Sequence, residues 1–157
     1  STPLYSSAAS DVYKRQFLHI PNKDDLIKDI FRVLKPSGLV VVSDWMRIDD
    51  NPPSKQMQEY ITAEGLDMYM CSLKRYKQAL KSAGFIDITI KDRNQWYLSK
   101  AQQELAAIEG PLNKQVIDAI GPEETTGAID IWKKLIGVLK LGEHRPGHFK
   151  AVKKTNS

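Results

Sequence analysis

The stretch Phe17-Leu18-His19-Ile20-Pro21, continued through Asn22 to Val33 and then Leu34-Lys35-Pro36-Ser37-Gly38-Leu39-Val40-Val41-Val42-Ser43-Asp44-Trp45, decides the fold. It reads as strand, helix, strand. Asn22 is a good N-cap, and Asp24 and Asp25 follow in the first turn, where negative charge suits the helix dipole. Leu26, Ile27, Ile30, Phe31 and Leu34 recur at helical spacing and form one apolar stripe. Pro36 cannot continue the helix, and Ser37-Gly38 supplies a turn that permits positive φ. Four consecutive apolar residues from Leu39, three of them β-branched, predict a strand buried on both faces, as in a parallel sheet covered by helices on each side. A crossover of this kind is right-handed and joins neighbouring parallel strands. His19 and Asp44 then fall at matching strand ends, on the edge where open α/β sheets bind their ligands. On the residues alone, simple capping of a strand and of a loop remains the competing explanation for both.

The periodicity continues beyond this unit. A polar loop from Met46 to Pro53 leads to a helix near Ser54 to Ala63, with Met57, Tyr60 and Ile61 on one face. Ser72 caps a helix carrying Leu73, Tyr76, Leu80 and Ala83, closed by Gly84. Phe85 to Lys91 alternates, which predicts a strand with Ile86, Ile88 and Ile90 on one face. From Trp96 to Gly142 the pattern is helical, broken at Gly110-Pro111 and at Gly121. The last of these helices has Glu123 and Glu124 in its first turn, Lys133, Lys134 and Lys140 toward its end, and Ile131, Trp132, Leu135, Ile136 and Leu139 as its core face. After the Pro146-Gly147 turn, His148 to Lys153 is expected to return as a strand beside the one at Phe85.

Composition bounds the function classes. The 157 residues are 41% hydrophobic, and about 140 of them are enough for one domain with a modest core. The net charge is +4, with lysines and acids interleaved, and the basic cluster at Lys150, Lys153 and Lys154 has no recognition helix or aromatic-basic motif beside it. Nucleic acid is therefore not an expected partner. A single cysteine, Cys71, rules out an intramolecular disulfide framework, and no apolar run reaches spanning length, so the reading is a cytoplasmic protein with no membrane partner. His144 and His148 lack the companions of a metal site, and no metal is assigned. Ser1 to Gln16 is small and polar without a period and resembles a translated cloning junction. The domain organisation is read as residues 1–16 a non-native or disordered tail, 17–154 one domain, and 155–157 a tail.

The phrases Phe-Leu-His-Ile-Pro, Arg-Val-Leu-Lys-Pro-Ser-Gly and Ser-Asp-Trp resemble the fourth and fifth strands of class I S-adenosylmethionine-dependent methyltransferases. Within that family the chain is most similar to small-amine N-methyltransferases of the phosphoethanolamine and sarcosine/dimethylglycine types. Glu59-Tyr60, Ala83-Gly84-Phe85 and Gly147-His148-Phe149-Lys150-Ala151 add to the resemblance, which covers about residues 17 to 154. It implies an incomplete doubly wound, Rossmann-like α/β sheet with helical lid insertions. The implied cofactor is S-adenosylmethionine, with Phe17 and Leu18 beside it. No Gly-x-Gly-x-Gly pattern occurs in the chain. It therefore reads as the C-terminal part of such an enzyme, a poor cofactor binder and inactive by itself. The alternatives are a non-catalytic α/β interaction domain or a methyltransferase of an oxygen or carbon acceptor.

The resemblance also implies roles for individual residues. His19 matches the histidine at the site of methyl transfer, where it can accept the amine proton or shape the pocket beside the cofactor's methionyl part. Asp44 could attract an amine's charge, and Trp45 could offer it a cation–π face. Tyr60 matches a substrate-binding tyrosine. Glu64 stands where a phosphate-binding arginine is expected, and Leu66 where a second tyrosine is. A carboxylate there would repel phosphate and suit a cationic amine, unless it faces solvent or pairs with a lysine. Arg15-Gln16 replace an expected acidic residue. A further expectation is association through an unpaired sheet edge beside His19.

Overall fold

The computed structural model describes residues 17–154 and divides them into two units. The readings of residues 1–16 and 155–157 lie outside the described residues.

The first unit is residues 17–50, 67–92 and 145–154. Residues 17–19 are helical rather than extended. The four-residue run Phe-Leu-His-Ile is too short for periodicity to separate a strand from a helical turn, so the expected parallel strand pair with its right-handed crossover is absent from the described residues. Helix α1 (Lys23–Val33) is capped by Asn22, whose side-chain oxygen accepts the Asp25 amide at 3.2 Å. It ends at Leu34, two residues before Pro36. Its last carbonyls receive a donor from far along the chain: Lys153 Nζ reaches the carbonyls of Phe31 at 2.7 Å and Leu34 at 2.8 Å. In the turn that follows, Ser37 takes the positive φ of 62°. Gly38 is needed for a different reason, since a Cβ there would meet the Lys35 carbonyl at 2.7 Å.

Strand β1 (Leu39–Asp44) then enters a three-stranded sheet of order β1-β3-β2, where β2 is Phe85–Asp92 and β3 is Gly147–Lys153. Both outer strands pair antiparallel with β3, in the registers Val40↔Ala151 and Ile90↔Phe149. The last strand does lie beside the strand at Phe85, as read from the sequence, and it also completes β1.

Helix α1 and helix α3 (Leu73–Ala83) supply the apolar side chains that cover one face of this sheet. Ile27, Tyr76, Ala79 and Leu80 are buried with Val40, Val42, Phe85, Phe149 and Ala151. Gly84 closes α3 with a φ of 97°, and the Phe31 ring lies against it. The expectation that β1 is buried on both faces does not hold: Leu39 is 56% and Val41 66% exposed. Four β-branched or aliphatic residues in a row report strand propensity, and cannot report how many faces are covered.

Strand β2 departs from its expected alternation as well. The register shifts between Ile86 and Thr89, so Asp87 and Ile88 both stand opposite Ala151, with Asp87 at a φ of 51°. This bulge turns Ile86 outward, 41% exposed, while Phe85, Ile88 and Ile90 pack on the core.

The second unit, residues 51–66 and 93–144, is helical: α2 (Lys55–Glu64), α4 (Asn94–Glu109), α5 (Asn113–Ile120) and α6 (Pro122–Leu141). The last helix is its centre, because α2, α4 and α5 all pack on it. Leu135, Ile136 and Leu139 are buried as read from the sequence, and Val138 joins them. Ile131 and Trp132 are only half-buried. Ser54 caps α2, accepting the Met57 amide at 3.2 Å, and its own amide and hydroxyl donate to the buried Glu143 carboxylate.

One-sided burial has a direct test in urea denaturation. Leu80→Ala, in the covered face, should cost about 2–5 kcal/mol, whereas Val41→Ala on the open face should change stability by less than about 0.5 kcal/mol.

Candidate active site

Asp44 closes β1 on the buried face and is 5% exposed. Its carboxylate accepts the hydroxyl of Tyr76, a buried residue of α3. The ammonium of Lys23, 3% exposed, donates to the Phe17 carbonyl, and Asp44 supplies the opposite charge that acts on it. Burial lowers the Lys23 pKa, and the charge of Asp44 opposes that shift. Burial likewise raises the Asp44 carboxyl above its usual range, against the pull of the Tyr76 hydroxyl, the Lys23 charge and the Trp45 amide. Burial, then the nearby Asp44 charge, pushes the Tyr76 phenol far up, so it stays a hydrogen donor. Cys71, buried in the same core, has its thiol pushed up to about 12, chiefly by burial. A thiol so protonated is a packing group and not a nucleophile.

Over this buried group lies the turn of residues 17–19. Phe17 is 3% and Leu18 9% exposed, and the Phe17 ring packs on Phe149 with centroids 6.4 Å apart. His19 is exposed, with Nδ1 at 2.7 Å from the Asp67 carbonyl. The amide of Tyr69 donates to the Leu18 carbonyl at 2.9 Å. Residues 67–72 are in turn held by the Arg47 amide on the Cys71 carbonyl at 3.0 Å, and by the Ser72 amide and hydroxyl on the Asp50 carboxylate at 2.8 and 2.7 Å.

In the second unit Tyr60 is fully buried, its ring 5.7 Å from that of His144. Burial raises the Tyr60 phenol well above its ordinary value, and the charge and hydrogen bond of Glu64, one turn on, raise it further. Asn94 donates from Nδ2 to the carbonyls of Leu139 at 3.0 Å and His144 at 2.8 Å, closing the end of α6. Arg93 lies over the Trp96 ring at 4.7 Å, and Trp96 meets Tyr97 edge-on at 5.3 Å.

No protein-family model matches the chain. It is 33% identical over 155 residues to a phosphoethanolamine N-methyltransferase of Triticum aestivum, an alignment covering 98% of this chain and 30% of the relative. A sarcosine/dimethylglycine N-methyltransferase of Halorhodospira halochloris is 29% identical over 119 residues, covering 74% of this chain and 42% of that protein. The solved Haemonchus contortus phosphoethanolamine N-methyltransferase 2, in complex with phosphomonomethylethanolamine and S-adenosylhomocysteine, superimposes with a TM-score of 0.78. That match has 24% identity and covers 88% of this chain and 32% of that one. Its relatives are thus N-methyltransferases of the phosphoethanolamine and sarcosine/dimethylglycine types, and it shares its fold with S-adenosylmethionine-dependent methyltransferases. It spans about a third of the length of the phosphoethanolamine relatives it matches. The Rossmann-like fold class read from the sequence is that of its structural neighbours, represented here by its three-stranded antiparallel part.

Structural neighbours of the chain are solved with S-adenosylhomocysteine or S-adenosylmethionine bound. Phe17 and Leu18, read as cofactor contacts, turn their side chains inward. The nine glycines are scattered along the chain. Among the described residues no cluster of metal-ligating side chains occurs, and no helix is long and apolar enough to cross a membrane.

Of the residues singled out in the sequence, the first unit brings Phe17, Leu18 and His19 into one turn and joins that turn to Asp44 through Lys23. Asp44 lies beneath the surface, with its carboxylate engaged by Tyr76, and Trp45 is half-buried beside it. In the second unit Tyr60 and Glu64 pair with each other. Sequence reading missed Lys23 and the segment 67–69. The helical spacing from Lys23 to Ile27, Ile30 and Leu34 did place Lys23 on the buried stripe, but a lysine at a helix start reads first as solvated.

The Asp44–Tyr76 bond has a signed pH dependence. The folded carboxyl keeps its proton to a higher pH than the unfolded one, so stability falls as pH rises from the ordinary carboxylate range through the raised value. Tyr76 favours the charged form. Tyr76→Phe should therefore cost about 1–3 kcal/mol at neutral pH and less under acid, measured by urea denaturation at both.

Proposed function

We propose that this chain is the substrate-side part of an S-adenosylmethionine-dependent methyltransferase acting on a small amine, with His19 as the group that takes the amine proton. The observation that carries the reading is the likeness to small-amine N-methyltransferases across 98% of the chain, with His19 as the exposed residue of an otherwise buried turn. The family's cofactor supplies a reactive methyl group. An amine is nucleophilic only as the free base, and a neutral imidazole held at the protein surface can accept its proton. Asp44 is proposed to act from beneath, as the counter-charge of the buried Lys23 rather than as a direct amine ligand. Trp45 remains proposed as a wall for a partly methylated nitrogen.

The preferred substrate is proposed to be an amine without a phosphate. Glu64 puts a carboxylate where a cationic phosphate anchor is expected, one turn on from Tyr60, whose phenol is raised by burial and by the Glu64 charge. Such a charge costs a phosphate about 1–4 kcal/mol at close range. The compartment proposed is the cytoplasm, with small molecules rather than nucleic acid as partners.

In radiolabelled methyl-transfer assays, the natural-length protein should turn over a small uncharged or zwitterionic amine substrate such as sarcosine about tenfold or more faster than phosphoethanolamine. A preference for phosphoethanolamine would overturn the phosphate-free assignment. His19→Ala should lower turnover about 10²- to 10⁴-fold; unchanged turnover refutes the base. Calorimetric titration of the chain alone with S-adenosylmethionine should give a Kd weaker than about 100 µM, and micromolar binding would show that the cradle is complete without other residues.

A second reading rests on the open sheet. Among the described residues β1 has no neighbour on the side away from β3, and Leu39, Val41 and Ile86 lie exposed on its outer face. An edge with such a face is a template for pairing, and we propose self-association of the isolated chain there. The edge belongs to β1, since residues 17–19 form no strand. Sedimentation velocity should show concentration-dependent oligomers that Val41→Lys suppresses, and a monodisperse monomer at high concentration would exclude it.

A further inference from the structure

His19 is held at the end of a turn that three hydrogen bonds fix from different directions. The buried Lys23 ammonium donates to the Phe17 carbonyl. The Tyr69 amide donates to the Leu18 carbonyl at 2.9 Å. The His19 ring itself sits with Nδ1 at 2.7 Å from the Asp67 carbonyl. A carbonyl oxygen only accepts, so the nitrogen that faces it must carry hydrogen. A neutral imidazole carries one N–H, which leaves the lone pair on Nε2.

The segment that presents the Asp67 carbonyl is itself anchored. The Cys71 carbonyl takes the Arg47 amide, and Ser72 gives both its amide and hydroxyl to Asp50. The turn is anchored from below by Lys23, whose burial is made tolerable by the Asp44 charge and so by the Tyr76 bond that holds Asp44. Two independently fixed pieces of backbone thus meet at the imidazole ring. We propose that Lys23 and the segment 67–69 are positioning elements that hold His19 as its Nδ1–H tautomer, so that Nε2 is the nitrogen that accepts the proton. Among the described residues the Asp67 carbonyl is the partner of the exposed His19 ring, and an unrestrained ring exchanges its tautomers freely through water. The inference rests on the reading of His19 as a base, but the tautomer is observable without any catalysis.

The test is two-bond ¹H–¹⁵N correlation spectroscopy of the histidine-labelled chain with its rings neutral. His19→Gln identifies the His19 signals among those of His144 and His148 by their loss. The expected spectrum shows Nδ1 protonated and Nε2 pyridine-like, with the ratio shifted by roughly tenfold relative to a free imidazole, the weight of one hydrogen bond. An Nε2–H ring, or the averaged shifts of free histidine, overturns the proposal. In folded Lys23→Met the ratio should relax toward that of free histidine, and an unchanged ratio removes Lys23 from the device. Should Lys23→Met fail to fold, Tyr69→Pro, which lacks the donated N–H, decides against Tyr69→Ala, which keeps it: only the proline variant should relax the ratio, and equal ratios overturn the segment's role. If the Nδ1–H tautomer is found and His19→Gln leaves turnover of the natural-length protein intact, the base assignment fails while the clamp stands. The opposite pair of results overturns the clamp alone.

Discussion

A buried positive charge and a buried negative charge that act on one another organise the first unit. Lys23 and Asp44 each carry a desolvation penalty that an isolated ion could not sustain. Each is relieved by more than the other's charge: Asp44 takes the Tyr76 hydroxyl and Lys23 gives to the Phe17 carbonyl. The pair therefore ties four parts of the chain to one another: the turn at 17–19, the start of α1, the end of β1 and the middle of α3. Breaking one member leaves the others buried and uncompensated, which is costlier than the worth of the pair itself. Conformational definition, more than net stability, is what such a group contributes.

This arrangement recasts how an active site can be supported. His19 was read from the sequence beside Asp44 as two partners facing one ligand. In the structure they lie at different depths: the histidine is exposed, and the aspartate sits under the sheet edge with its carboxylate engaged. Among the described residues Asp44 is linked to the turn of His19 through the charge of Lys23. A carboxylate used this way sets geometry, whereas one exposed to substrate sets affinity, and the two are separable by which kinetic constant a substitution moves.

Much of the architecture was legible because local chemistry marks element ends. Asn22 and Ser72 cap the helices they were read to cap, Ser54 caps α2, and Gly84, Gly121 and Gly142 close α3, α5 and α6. What was not legible involved tertiary choice. Phe17 to Ile20 is too short to declare its period. Leu39 to Val42 announces a strand and is silent about whether a second layer covers it. Ile86, Ile88 and Ile90 alternate faithfully, but the extra residue at Asp87 and Ile88 displaces Ile86 to the other face. Of the proposed site, His19 is singled out by its phrase. Its surroundings could not, because two of the three bonds that hold its turn come from backbone groups of residues 67 and 69, and a sequence does not display backbone donors and acceptors as side chains.

The central strand of the sheet is also the latest of its strands in the chain. β1 and β2 share no hydrogen bonds with each other, and every rung of the sheet passes through β3. Among the described residues, the rungs that join β1 and β2 into one sheet cannot form until residues 147–153 have been made. The cap on α1 waits for the same moment, since Lys153 supplies it. Folding of this unit is thus set by closure of loops of up to about a hundred residues rather than by growth from its first elements, a slow and all-or-none event. Until β3 arrives, Val40, Val42 and Phe85 lack their partners in this sheet, and that interval is when they most need protection from other apolar surfaces.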